Sequence, residues 1–305
     1  MSMRLALLFS GQGNQRPEHW QQVSRQRDRW QGSLSAIIPD IDDPEACVDP
    51  EKLSRNTIAQ PLIFAQQMAV WESVCDVLPR PVMTAGYSLG EMAACCVAGV
   101  FSPEDGLRLC QQRALVMDAA VSGEYAMLAV LGLDDAMVEA IVAPLGVSVA
   151  IRNAPRHLVV AGPRAAIEVA AERFTAAGAS RLVPLAVRTP SHTPALAAAG
   201  SAFQRCLDDI PDRRLSIPVL SAIDGQAART ARTALGALAR QICSPLDWAA
   251  CLQAVCELQP DAVLEIGPGN ALSKLLGEIA PEIPVRASDD FRSPAGIVDW
   301  LQRYA

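Results

Sequence analysis

Three short apolar runs, each ending in a glycine turn, constrain the fold of this 305-residue chain more than any other feature. Arg4 to Phe9 breaks at Gly11-Gln12-Gly13, Pro81 to Ala85 at Gly86, and Ala262 to Ile266 at Gly267-Pro268-Gly269. Apolar runs of this kind suit strands buried on both faces, and the glycines let the chain turn sharply out of them. Helical patterns follow the second and third turns, over 91–100 and from about Asn270. Further helices are expected from Leu62 to Leu78, with Pro61 in the first turn, and from Pro103 to about Ala120. Helices are also expected over 194–207, up to about 242 and over 245–255, with a strand from Ile217 to Ala222. Strands that repeatedly feed helices imply an α/β fold with a mainly parallel sheet and helices on both faces.

The segment from 124 to 188 has a different rhythm. Strand 126–133, helix 134–145, strands 147–153 and 157–162, helix 164–177 and strand 181–187 follow in the order βαββαβ, the ferredoxin-like unit. Its six acids are balanced by six arginines. The expected organisation is therefore one catalytic body, 1–123 with 189–305, and an inserted ferredoxin-like subdomain, 124–188.

Composition narrows the chemistry. Half the residues are hydrophobic and 19% are charged, enough for a filled core. A net charge of −7 excludes a general nucleic-acid binder, which needs basic surface against phosphates. Neither paired histidines at metal-ligand spacing nor a Gly-Lys-Ser/Thr phosphate loop is present, which excludes zincin-type and P-loop hydrolysis. The nine cysteines form no Cys-x-x-Cys and read as reduced thiols. With no run of 18 uncharged apolar residues and no signal-type N-terminus, a soluble cytoplasmic protein is expected.

Gly86-Tyr87-Ser88-Leu89-Gly90, between strand and helix, fits a nucleophile elbow, the turn that lifts a serine hydroxyl beside a helix N-terminus. This makes the body hydrolase-like. Gly11-Gln12-Gly13 is either a bare connection or a close backbone approach that lends a second oxyanion N–H from Gln12. The serine needs a base, and there are only three histidines. His19 sits in a charged, Trp-flanked helix and reads as surface. His157 starts a subdomain strand and reads as structural. His192, between Pro190 and Pro194, is in a rigid loop suited to a held side chain and is the expected base. Arg113 shares a helix face with Leu109, Cys110, Val116 and Met117. It is either a snorkelling surface arginine or a fork for a substrate carboxylate.

Together these residues resemble the malonyl-CoA:acyl-carrier-protein transacylase family. The matching pieces are Phe9 to Gln15, Gly86 to Glu91, Gln112 to Met117, Ser191-His192, Arg240 to Pro245 and Glu265 to Gly269, in the family's order. The resemblance implies transfer of malonyl from malonyl-CoA to the prosthetic-group thiol of an acyl carrier protein through a malonyl-serine at Ser88. His192 would be the base, oriented by the main-chain carbonyl near Gln241. Backbone N–H groups of Gln12 and Leu89 would hold the oxyanion, and Arg113 the malonyl carboxylate. No metal or soluble cofactor is implied.

Two positions depart from the family: Tyr87 stands where histidine is usual, and Ser10 where proline is usual. Tyr87, with the Asn56–Leu62 and Leu78–Pro81 segments, makes the chain look most like the malonyl transacylase (epsilon) subunit of malonate decarboxylase. The acceptor would then be that decarboxylase's carrier subunit. The alternative is the fatty-acid-synthesis enzyme. An α/β-hydrolase esterase fits less well, because no histidine follows His192. A silent carrier-binding module fits poorly with Ser88, His192 and Arg113 all retained. Subdomain arginines such as Arg152 and Arg188 are candidates for binding an acidic carrier or CoA phosphates.

Overall fold

The first glycine-ended run is strand β1 (Leu5–Phe9) and the second is β2 (Met83–Gly86). A computed structural model describes residues 3–30, 32–43, 45 and 49–304. Cys47, one of the nine cysteines read as reduced thiols, lies outside the described residues. Four strands follow in the 124–188 segment: β3 (Tyr125–Leu131), β4 (Ser148–Ala154), β5 (His157–Pro163) and β6 (Arg181–Pro184). The remainder are β7 (Arg214–Leu220), β8 (Ala227–Thr230), β9 (Leu246–Asp247), β10 (Ala262–Ile266) and β11 (Val285–Ala287).

Six strands form one sheet in the order β11-β10-β1-β2-β7-β8, parallel except at β7–β8. Phe9 is level with both Ile266 and Gly86, so the three glycine turns sit side by side at the carboxyl ends of adjacent strands. That end of a parallel sheet is where an α/β fold assembles a site. Alternation along β1 sends Leu5, Leu7 and Phe9 into one core and Ala6 and Leu8 into another, so helices cover both faces.

The second sheet runs β6-β3-β5-β4-β9, and its first four strands have the ferredoxin-like order. Helices Asp135–Val142 and Arg164–Ala176 pack on one face through Leu128, Val130, Leu158 and Val160. Met127, Ala129, Ile151 and Val159 on the other face join the core that also holds Ala6 and Leu8. Leu246 and Asp247, from outside the segment, add β9 in parallel to β4.

Several expected boundaries move, each for a physical reason. Pro61 is inside helix Asn56–Val74, not in its first turn. The helix starts early because Asn56 is anchored in the interior, its Nδ2 donating to Asp118 Oδ1 (2.6 Å) and Thr189 Oγ1 (2.8 Å). The proline then forgoes a single intrahelical bond. The helix expected from Pro245 starts at Trp248, because Asp247 caps it by accepting from Ala250 N–H. The last subdomain strand ends at Pro184 rather than Val187, which frees Leu185 and Val187 to turn toward the first sheet. No helix among the described residues is long and apolar enough to cross a membrane. Cys75, Cys95, Cys96, Cys110, Cys206, Cys243, Cys251 and Cys256 are free thiols.

Candidate active site

Ser88 stands on the turn between β2 and helix Gly90–Val97 with φ +53°, a left-handed conformation costly for a residue with a Cβ. Packing enforces the turn. A Cβ on Gly86 would lie 2.1 Å from Glu91 N, and one on Gly90 would lie 2.1 Å from Phe9 O. The first helical turn leaves the Ser88 and Leu89 N–H groups without hydrogen-bond partners among the described residues, as is the Gln12 N–H after β1. Gln12, Ser88, Leu89, Arg113 and His192 line one cavity.

His192, also left-handed at φ +64°, is buried and held twice by the end of helix Ala231–Gln241. Its backbone N–H donates to Ile242 O (2.9 Å), and its Nδ1 lies 2.5 Å from Gln241 O. A carbonyl oxygen can only accept, so Nδ1 carries the proton and Nε2 presents its lone pair. That lone pair faces Ser88 Oγ at 2.8 Å, the geometry of a nucleophile and its base. Burial, offset by the Gln241 bond and reinforced by Arg113, pushes the imidazole down to about 3. The ring is therefore neutral throughout the physiological range.

This has a checkable consequence. An unfolded histidine takes up a proton below about 6.5; the folded ring does so only near 3. The unfolded state thus binds more protons in this window, and the contribution of His192 to stability, complete above about 6.5, is lost as pH falls toward 3. The denaturant midpoint should drop more between pH 7 and pH 5 in the native chain than in His192→Gln. Equal drops would contradict the assignment of a neutral buried ring.

Arg113, on helix Pro103–Ala119, is 1% exposed and points inward. This rules out the snorkelling surface reading of its helix face. Nη1 donates to Gln60 Oε1 (2.9 Å) and Nη2 to Ser88 Oγ (3.4 Å), while Nε is buried without a partner among the described residues. Burial lowers the guanidinium to about 10, which leaves it charged at neutral pH. Among the described residues it forms no salt bridge. A buried cation with a free edge beside a serine hydroxyl favours an anionic neighbour.

The other histidines are elsewhere. His19 is not on the surface as expected but 4% exposed. Its Nδ1 accepts the Arg16 N–H, and its Nε2 pairs with Asp289 at 2.9 Å. The charged neighbours of the helix concealed the fact that its buried face turns toward Asp289. His157 is half-buried beside Asn153, whose Oδ1 accepts the Tyr87 hydroxyl (3.0 Å). Sequence reasoning missed Gln60 and gave no role to Glu91. The available signal was a polar side chain recurring within otherwise apolar helical stretches.

A groove of about 530 Å³ runs from Glu51, Ser54 and Arg188 past Ile167 and Leu128, and shares Met127, Leu185 and Val187 with the reactive cavity. Arg188 is exposed on its rim, paired with Glu51. Arg152 is already neutralised by Asp135 and Glu139.

The acyl transferase domain family matches residues 8–281. This chain belongs to the acyl transferase family. It is 33% identical to the malonyl CoA-acyl carrier protein transacylase of Haemophilus influenzae over 82% of this chain and 83% of that one. Identity to the polyketide biosynthesis protein ThaF of Burkholderia thailandensis is 34% over 91% of this chain but 24% of that longer protein. The fold superposes with a TM-score of 0.86, at 28% identity, on a malonyl-transacylase solved with a type II polyketide acyl-carrier protein. That match covers 97% of this chain and 99% of the other.

Proposed function

We propose that this acyltransferase moves malonyl from malonyl-CoA to the thiol of an acyl carrier protein through a malonyl-serine at Ser88. The observation that carries the reading is Arg113: a buried guanidinium without a carboxylate partner among the described residues, 3.4 Å from Ser88 Oγ. An esterase has no use for a buried cation at that place, whereas the free carboxylate of a malonyl group supplies the missing anion.

The steps follow from the hydrogen bonds. His192 Nε2 takes the Ser88 proton as Oγ bonds to the thioester carbonyl carbon. The Gln12 and Leu89 N–H groups, free of other partners among the described residues, receive the oxyanion. Collapse breaks the C–S bond, and the imidazolium returns its proton to the leaving CoA sulfur. In the second half-reaction the carrier thiol gives its proton to His192, its sulfur attacks the serine ester, and Ser88 leaves reprotonated. The thioester already activates the acyl group, so no metal or soluble cofactor is called upon. The apolar groove shared through Met127, Leu185 and Val187 suits the slender arm that presents each thiol.

The names of the relatives support an acyl carrier protein of the fatty-acid or polyketide type as acceptor over a malonate decarboxylase carrier. The two departures from the family have local explanations. Tyr87 bonds Asn153 across to the second sheet, and Ser10 Oγ donates to Glu265 (2.7 Å). Transfer from malonyl-CoA, run in parallel against an acyl carrier protein and a malonate decarboxylase carrier subunit, tests both points. Faster loading of the acyl carrier protein is expected; preference for the decarboxylase carrier would restore the other acceptor. Intact mass after mixing with malonyl-CoA should show one added malonyl group, and no added mass on folded protein would reject the reading.

A further inference from the structure

Glu91 is fully buried three residues after Ser88, where the mechanism above gives it no task. Its Oε2 accepts from Ala222 N–H (3.1 Å) and from Gln241 Nε2 (3.3 Å). Its Oε1 is sealed from solvent without a partner among the described residues. Gln241 connects both reactive groups. Its side-chain amide also donates to the Ser88 carbonyl (3.2 Å), and its own carbonyl orients His192. The Ser88 carbonyl is thus held from two sides, by that amide and by the Glu91 N–H (3.1 Å). One carboxyl grips the amide that sets the elbow against the base.

We propose that Glu91 is a positioning residue for acyl transfer, fixing the Ser88–His192 geometry by accepting the Gln241 amide and the Ala222 N–H. The inference rests on the proposed malonyl-serine chemistry. Burial raises the carboxyl to about 8. The side chain is therefore uncharged near neutrality, and glutamine is its faithful mimic. Its amide oxygen accepts the same two bonds, and its shape is unchanged. Alanine leaves Ala222 N–H without an acceptor and lets the Gln241 side chain swing away from Ser88.

The test is single-turnover CoA release from malonyl-CoA, expressed per titrated active site, with the donor KM measured alongside. Glu91→Ala should slow acylation roughly 10- to 100-fold, as small misplacements of reacting groups do. The donor KM should stay within about 3-fold and Glu91→Gln within about 3-fold of the native rate, because the donor's own contacts are untouched. Gln241→Ala, which keeps the backbone carbonyl, should slow the reaction similarly. The double variant should be no slower than the slower single one, because both remove one interaction. A folded Glu91→Ala that acylates at the native rate per site overturns the proposal. So does a Glu91→Gln as slow as the alanine variant, or a double variant whose losses multiply. Should Glu91→Ala fail to fold, Gln241→Ala breaks the same bond from the other side, and a native rate there overturns the proposal equally. If the native chain itself acquires no malonyl group, it is the functional reading beneath that fails.

Discussion

Ser88→Ala protein mixed with malonyl-CoA gains no malonyl mass and loads no carrier, with transfer falling by roughly 10⁴-fold or more. Ser88 Oγ is the hydroxyl that faces His192 Nε2, at 2.8 Å, and His192 Nδ1 is committed to the Gln241 carbonyl. The only lone pair on the ring therefore points at the only hydrogen this arrangement needs removed. The fold should survive, since the elbow is held by backbone bonds from Gly90 and Glu91 and by the tight glycines, not by the hydroxyl. His192→Ala should lose a comparable amount. Because the two residues act as one unit, the double variant should be little worse than either single one. Continued labelling of Ser88→Ala would place the nucleophile elsewhere and undo the assignment.

Arg113→Ala lowers the preference for malonyl over acetyl donors by about 10²- to 10³-fold, the cost of truncating one partner of a buried charge pair. Native protein should turn acetyl-CoA away because an acetyl group leaves the buried guanidinium unpartnered; malonyl supplies two oxygens to its free edge. Removing the guanidinium removes both the reward and the penalty, so malonyl transfer falls while acetyl transfer holds or rises. Arg113→Lys should be intermediate, since an ammonium keeps charge but loses the planar fork gripped by Gln60. The ratio of kcat/KM values for the two donors measures this directly. A ratio unchanged in Arg113→Ala would remove the residue from substrate recognition, leaving the elbow and base intact.

Much of this site was readable before folding, for uneven reasons. The elbow was legible because its Gly-x-Ser-x-Gly pattern lies within five residues: Gly86 is required by the elbow's own helix start, while Gly90 is required by the close passage of Phe9 in β1. His192 was legible by scarcity, since three histidines left few candidates. The βαββαβ segment was legible because each element carried its own periodicity, though Pro184 ended its last strand early. The reading failed where a residue's environment comes from distant segments. His19 has charged neighbours in sequence but is itself buried against a half-buried partner, Asp289, 270 residues away. Asn56 starts its helix ahead of Pro61 because it is anchored to Asp118 and Thr189.

Residue order alone therefore pointed to an α/β fold with a βαββαβ segment, and to Ser88 and His192 as candidate nucleophile and base, since turn sterics and hydrophobic period act over a few residues. It left Arg113 undecided between surface and pocket, and it was silent on Gln60 and Glu91. Their roles are questions of what lies across a gap: whether the guanidinium meets water or Ser88, and whether a carboxyl meets solvent or the amide of Gln241. Charge and hydrogen-bond energetics depend on distance and burial. Those are set when β1, β2 and β10 bring their turns together and the helix ending at Gln241 closes behind them.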